Sequence, residues 1–554
     1  MKQNTFVRGL FGLMAAAACS AALLSSCAHQ KTSESSLLTT PGNPYLPLWE
    51  HIPDGEPYVF DDPDQPGRQR VYIYGSHDSM VSGYCGRELV VWSASVDSLT
   101  QWRYDGEIFS VSKNANGELL DAEGLADVLY APDVTFVTEA DGTKTYYLYP
   151  NDQAGGRNGM VCKSKRPDGP FEVCNWSQEN PFVTDGVLRF DPAVFVDDDG
   201  RVYGYWGFER SYAAELDPAT MATVKPGTQI VEDMVPGHKQ EGDFRFFEAS
   251  SIRKIKDKYV FIYSRFTKDG EFGLPITNYT LAYAYGDNPL GPWTYGGTII
   301  DARARDINEQ GDTIASANVA GNTHGSICEI GGQWYVFYHR QTGLNEFARQ
   351  AMVAPIEVSV EEGAGGKVTI SEAEYTSEGF SLEGLNPLER HSAGIACWYT
   401  GPKVALHEWP NNVFYGSYVQ ETRFDGAPFK EDPYDLSHNS NPVVNNTDGS
   451  IVGYKYFNFN ALQGRKDVRL LLSVIPEGID GTIEVMADRP WTSQGGLVLG
   501  QTDVKADMPV NEPVELAIPL PGLSGLTGKH AVFLKFHSDT KEKSLCSLLD
   551  LVFE

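Results

Sequence analysis

Five ionisable side chains, Asp54, Asp133, Asp191, Glu248 and His324, each open a similar stretch of this chain. An apolar strand follows the ionisable head, then a Gly/Asp-type turn, then an aromatic-rich strand. The clearest copy is Asp191-Pro192-Ala193-Val194-Phe195-Val196, a turn from Asp197 to Gly200, and Val202-Tyr203-Gly204-Tyr205. Glu248 leads through Ile252 to Tyr259-Val260-Phe261-Ile262-Tyr263, and His324 leads through Gly331-Gly332 to Trp334-Tyr335-Val336-Phe337-Tyr338. Carboxyl and imidazole groups donate and accept protons in general acid–base catalysis. Brought to one place, four acids and a histidine titrate as a coupled set. An Asp at a strand start is also an ordinary turn residue, and Asp133 is the head that this structural role explains best.

The elements that position the heads follow from the repeat. A second, weaker element recurs within the units: Ser164-Lys165-Arg166-Pro167-Asp168-Gly169-Pro170-Phe171 compares with Tyr285-Gly286-Asp287-Asn288-Pro289-Leu290-Gly291-Pro292-Trp293. Each unit therefore reads as four strands, and five such units predict an all-β chain built on a five-bladed β-propeller. The innermost strand of every blade lines a central channel, so equivalent heads converge there. The propeller is expected over residues 43–395, with 356–395 completing it and leading out. From residue 396 to 554 the texture changes to strands split by Asn, Gly and Pro turns. Val468-Arg469-Leu470-Leu471-Leu472-Ser473-Val474 and Ala531-Val532-Phe533-Leu534-Lys535-Phe536 are examples, and their spacing predicts a β-sandwich of jelly-roll type.

A hydrophobic fraction of 41% excludes a disordered chain, and 28 Tyr, 27 Phe and 10 Trp favour strands and sugar-stacking surfaces. The formal charge of −30 repels phosphate backbones, which argues against a nucleic-acid partner. At the N-terminus Lys2 and Arg8 precede an apolar run from Leu10 to Leu24, and then Leu24-Ser25-Ser26-Cys27. This pattern reads as a secretory signal over residues 1–26. It resembles a bacterial lipoprotein signal, which implies lipidation of Cys27 and a lipid-anchored protein of the bacterial cell envelope. Residues 27–42, rich in Ser and Thr, are expected to be a flexible tether. The lipid would be the chain's one membrane contact, and no protein partner is implied. Cys85, Cys162, Cys174, Cys328, Cys397 and Cys546 lack metal-site spacing. Cys162 and Cys174 lie close enough to pair across a turn or to remain free thiols.

Residues 43 to about 390 resemble glycoside hydrolase family 43, five-bladed propeller enzymes that remove mainly α-L-arabinofuranosyl or β-D-xylosyl units. Asn43-Pro44-Tyr45-Leu46-Pro47 with Ile52-Pro53-Asp54 looks like the motif that supplies the family's general base. Phe190-Asp191-Pro192 looks like the motif of its third carboxylate, and Phe247-Glu248-Ala249-Ser250 stands in the place of the general acid. Tyr130-Ala131-Pro132-Asp133 and His324-Gly325-Ser326 match further landmarks. Two departures touch the sugar pocket: Tyr130 stands where the family often has Trp, and Ala249-Ser250 replaces the usual Gly-Pro. Gly453-Tyr454-Lys455-Tyr456-Phe457, Gly481-Thr482-Ile483-Glu484-Val485 and Leu549-Asp550-Leu551-Val552-Phe553 resemble a family 6 carbohydrate-binding module. Tyr454, Tyr456 and Trp491 there either stack on sugars or belong to the core.

The resemblance implies an inverting, exo-acting hydrolase of plant oligo- or polysaccharides. One carboxyl protonates the leaving oxygen while another activates water on the opposite face of the ring. Glu248 takes the acid's role, Asp54 the base's, and Asp191 raises and orients the acid. His324, Arg340 and Asp133 are candidate substrate contacts. The chemistry requires no cofactor, and a structural Ca²⁺ near His324, held through water, is one expectation. Two rivals remain: a retaining fructan-type propeller hydrolase, whose Asn-Asp-Pro-Asn motif is missing around Asp54, and a non-catalytic glycan-binding lipoprotein.

Overall fold

The computed structural model describes residues 37–79, 83–111, 113–118, 128–152, 157–421 and 441–554. The expected signal peptide, Cys27 and most of the tether lie outside them. The described residues are all-β, with strands, turns and short 3₁₀ segments and no α-helix among them. The tether expectation ends early. Leu38–Thr39 is a strand that pairs with Trp102 and Gln101 at the edge of the first sheet, and Leu38 is buried.

Five antiparallel sheets follow one another along the chain. The first holds Glu56–Asp61, Gln69–Tyr74, Glu88–Ser95 and Gln101–Ser110; the second holds Asp133–Thr138, Lys144–Tyr149, Cys162–Ser164 and Glu172–Val173. The third contains Ala193–Val196, Val202–Trp206, Tyr212–Leu216 and Val231–Glu232. Phe246–Ile255, Lys258–Arg265, Thr280–Gly286 and Thr294–Asp301 make the fourth, and Ser326–Ile330, Gln333–Gln341 and Arg349–Ile356 the fifth. The fifth sheet has three strands, not the expected four. After Ile356 the chain turns into a separate hairpin of Val358–Val360 and Val368–Ile370. Second strands such as Lys258–Arg265 are buried along their whole length, because both faces are covered and β-branched or aromatic side chains fill both.

The first strands of these sheets are tied to one another. The Tyr58 hydroxyl donates to Asp133 Oδ1 at 2.7 Å, and the Val194 N–H donates to Asp133 Oδ2 at 2.6 Å, linking the first three sheets. Ser251 bonds Ser326 at 2.7 Å between the fourth and fifth. Arg253 reaches from the fourth sheet to Glu56 Oε2 at 2.8 Å and to the Ile327 carbonyl at 3.0 Å.

Beyond residue 390 two larger antiparallel sheets share one apolar cluster. Leu470, Leu472 and Val474 alternate inward from one, and Val452, Ile483, Val485, Val532 and Leu534 from the other. The period-two burial of Arg469–Pro476 is what a strand with one covered face requires. His391–Ser392 already pairs with the last strand, Cys546–Phe553, so this pairing begins ahead of residue 396. Tyr454 is core: it is fully buried, and its hydroxyl donates to the Ala393 carbonyl at 3.2 Å. The Tyr456 hydroxyl is held by Glu374 at 2.8 Å, and Trp491 packs edge-on against Trp398. Cys162 and Cys174 are free thiols, as are the four other described cysteines.

Candidate active site

Three backbone irregularities aim the carboxylates. Asp54 (φ 60°) and Asp191 (φ 45°) sit in the left-handed region just ahead of their first strands. Asp tolerates that region better than most residues, and such positions cluster at functional sites. Glu248 pairs with Ser264 at a point where register slips on both sides, and Ala249 after it has φ 67°. A β-bulge of this kind re-aims a side chain out of the ladder. The backbone of Gly75 lies so close under the Pro53 carbonyl that a Cβ would collide with it, which fixes the loop carrying Asp54.

Asp54 is buried and surrounded by donors. Arg349 Nη1 reaches both of its oxygens, at 3.1 and 3.2 Å, and the Ser76 hydroxyl donates to Oδ2. Burial alone pushes this carboxyl up. Arg349, His339, His324 and Ser76 outweigh that and hold it below the usual carboxylate range. His339 accepts the Asp54 N–H at Nδ1, 3.3 Å away, and bonds Asn322 through Nε2 at 2.9 Å, which assigns the Nε2–H tautomer. Burial drives His339 down to about 3, so the imidazole is neutral near pH 7. Arg349 is therefore the permanent cation beside Asp54.

Glu248 is driven the opposite way. Burial first, then the charges of Asp191 and Asp54, push its carboxyl well above the usual range, and Arg349 opposes them only in part. Its side chain keeps some solvent-accessible surface, as a group that must meet a substrate does. Asp191 touches the same bulge: the Ala249 N–H donates to its Oδ2 at 3.1 Å and Asn151 Nδ2 to its Oδ1 at 2.9 Å. Burial raises Asp191 to about 6, with His324 Nδ1, 3.7 Å from Oδ2, pulling it down.

The structure thus brings Asp54, Asp191, Glu248 and His324 together. Asp133 is different: it is buried, with both oxygens engaged by Tyr58 and Val194, and it joins strands instead of facing the carboxyl group set. Arg340 is a correction. Its guanidinium is fully buried and committed to Gln350 Oε1 and to the Ala396 and Gly394 carbonyls, so it reaches no sugar. The cation at the site is Arg349, nine positions along the same hairpin, which sequence reasoning missed. Nothing in Ala348-Arg349-Gln350 marks it; only the pairing of Arg340 with Gln350 shows which arginine turns inward.

Aromatic rings rim the site. Phe190, Phe208, Phe247, Phe266 and His238 form a continuous run with centroid spacings of 4.6–5.7 Å, and Phe208 is 48% exposed. Tyr84 stands edge-on to Phe347, 5.0 Å away, with the Arg349 guanidinium 4.9 Å from its own ring. Flat apolar faces around paired carboxyls suit the C–H faces and hydroxyls of a sugar.

The sequence model of the glycosyl hydrolases family 43 matches residues 61–362, so Asp54 lies just ahead of the matched span. A "Xylosidase/arabinosidase" of Thermoclostridium stercorarium is 32% identical over 534 residues, covering 91% of this chain and 98% of that protein. An "Arabinoxylan arabinofuranohydrolase" of Paenibacillus polymyxa is 25% identical over 530 residues, covering 90% and 73% respectively. The solved family 43 arabinoxylan arabinofuranohydrolase of Bacillus subtilis aligns at 21% identity with a TM-score of 0.43, over 92% of this chain and 97% of that one.

Proposed function

The chain belongs to glycosyl hydrolase family 43 and is a glycoside hydrolase of the xylosidase/arabinosidase kind, and from that premise we propose an inverting, exo-acting enzyme that removes α-L-arabinofuranosyl units from arabinoxylan-type substrates, with β-D-xylosyl units second. The observation that carries the mechanism is the opposite bias on two carboxyls at one site. Arg349 holds the Asp54 carboxyl below the usual carboxylate range, while burial and then the charge of Asp191 push the Glu248 carboxyl well above it.

In this reading Glu248 protonates the glycosidic oxygen as the bond to the anomeric carbon breaks. Asp54 takes a proton from water attacking the other face of the sugar, and no covalent sugar forms on the protein. Asp191 acts through Glu248: its charge keeps the acid's pKa high, and its bond to the Ala249 N–H holds the bulge that aims the acid. NMR of the first sugar released from an aryl arabinofuranoside tests this reading. The inverted anomer is expected, and the retained anomer would overturn it.

The five successive sheets with linked first strands support a five-bladed propeller over residues 43–395, and the two C-terminal sheets around one core support a β-sandwich over 396–554. Likeness to a carbohydrate-binding module and a lipid anchor at Cys27 in the cell envelope rest on the sequence. A diacylated N-terminal cysteine in membrane-extracted protein is the expected mass-spectrometric result. The calcium proposal has one structural support. His324 Nε2 and Glu56 Oε1, 3.9 Å apart, are buried without a hydrogen-bond partner among the described residues. Glu56 would give the oxygen that Ca²⁺ prefers and His324 would hold its water, so the ion would supply fixed positive charge and rigidity. Chelation should then lower the melting temperature, and added Ca²⁺ should restore it.

A further inference from the structure

The hairpin of Leu406–Glu408 and Asn411–Val413 belongs to the C-terminal half of the chain, yet it is fastened to the loop between the last two strands of the fifth sheet. The Glu346 N–H donates to the Pro410 carbonyl at 3.1 Å, the Asn412 N–H to the Leu344 carbonyl at 2.9 Å, and the Gly343 N–H to the Val419 carbonyl at 2.7 Å. At the hairpin's turn stands Trp409, 72% exposed. An exposed indole offers a flat apolar face on which a sugar ring can stack.

What lies at its foot belongs to the site already described. Glu346 is buried; its Oε2 accepts the Tyr84 hydroxyl, and its Oε1 lies 3.4 Å from His407 Nε2 of the hairpin. Oε1 has no hydrogen-bond partner among the described residues. The Tyr84 ring in turn faces the Arg349 guanidinium, which grips Asp54. Trp409 is therefore separated from the base by a short run of direct contacts: Pro410, Glu346, Tyr84 and Arg349.

We propose that this hairpin is a wall of the substrate cleft supplied by the C-terminal half of the chain, in which Trp409 stacks on a pyranose ring of the leaving polysaccharide. The ring is a neutral one. The exposed Glu408, next to Trp409 in the hairpin, and a chain charge of −30 disfavour a uronic-acid polymer. The proposal rests on the glycosidase reading above and adds the subsite that selects the polymer.

The test uses the full chain and its Trp409→Ala and Trp409→Phe variants. Binding of xylohexaose and of hexagalacturonate is measured by calorimetry. Kinetics are measured on an arabinoxylo-oligosaccharide and on 4-nitrophenyl α-L-arabinofuranoside, whose leaving group carries no sugar. Trp409→Ala should weaken xylohexaose binding and raise KM for the oligosaccharide, each about tenfold, as truncation of a stacked Trp does. The aryl substrate should be hydrolysed as before, and Trp409→Phe should retain most of the affinity. Unchanged xylohexaose binding in Trp409→Ala, equal losses on both substrates, or tighter binding of hexagalacturonate would each overturn the proposal. Failure of the parent to cleave any aryl glycoside would instead refute the glycosidase reading, and the xylohexaose titration would still decide the role of Trp409.

Discussion

Arg349 spans two buried carboxylates: one terminal nitrogen donates to both oxygens of Asp54, at 3.1 and 3.2 Å, while Nε and the other terminal nitrogen clasp Asp78 at 2.9 and 2.8 Å. A bidentate guanidinium fixes both orientation and charge. Substituting Arg349→Met leaves two buried acids without their cation, and breaking a buried pair of this kind costs about 3–5 kcal/mol. The pH dependence has a definite sign. Asp54 must be ionised to act, so raising its pKa moves the acid limb of kcat/KM to higher pH. An unchanged acid limb in a folded Arg349→Met protein would separate Arg349 from the base.

Asp54 and Glu248 are distinguishable by leaving group. In the proposed mechanism Asp54→Ala removes the base that activates water, and hydrolysis should fall at least about a hundredfold on every substrate. In the same mechanism Glu248→Ala removes the proton donor, which matters most when the leaving oxygen is basic. Activity on arabinoxylan should then fall steeply, while glycosides of acidic phenols are partly spared. Equal sensitivity of both variants to the leaving group would reject the division of roles.

In the proposed mechanism Asp191 sets the alkaline side of the pH profile. Its charge is second only to burial among the causes that raise Glu248. Asp191→Asn should therefore lower the acid's pKa and bring the alkaline limb of the profile to lower pH. An Asp191→Asn variant with lower activity but an unmoved alkaline limb would leave Asp191 only the support of the bulge at Ala249.

The strand repeat and the carboxyl heads were legible because they are local: each head adjoins its own strand, and alternation or aromatic runs mark the strands. What was not legible depends on pairing between strands. Arg340 and Arg349 lie on neighbouring strands of one sheet, and composition cannot say which faces the carboxylates and which is clamped by the Gly394 and Ala396 carbonyls. Tyr454 looks like a sugar-stacking residue by type but is core by register, since it faces the shared apolar cluster. The contact of His407 with Glu346 joins residues from different halves of the chain. No pattern within either segment encodes it.

A last prediction concerns stability, away from the reaction. His77 is buried with Nε2 3.1 Å from Glu50 Oε1 and Nδ1 3.6 Å from Glu88 Oε1, while Trp92 Nε1 donates to Glu50 Oε2 at 2.8 Å. Burial pushes the imidazole down, but the two carboxylates outweigh it and raise His77 from 6.5 to about 9. A proton bound more tightly by the folded than by the unfolded chain stabilises the fold. That stabilisation is fully present below the unfolded value of 6.5 and is lost as pH rises through about 9. A shift of this size corresponds to about 3 kcal/mol. Denaturant unfolding of the parent should therefore weaken between pH 6.5 and 9 by more than that of His77→Gln, which cannot take up the proton. The two proteins should differ most at pH 6 and converge at the alkaline end. Parallel stability curves across this range would show that His77 carries no proton in the fold.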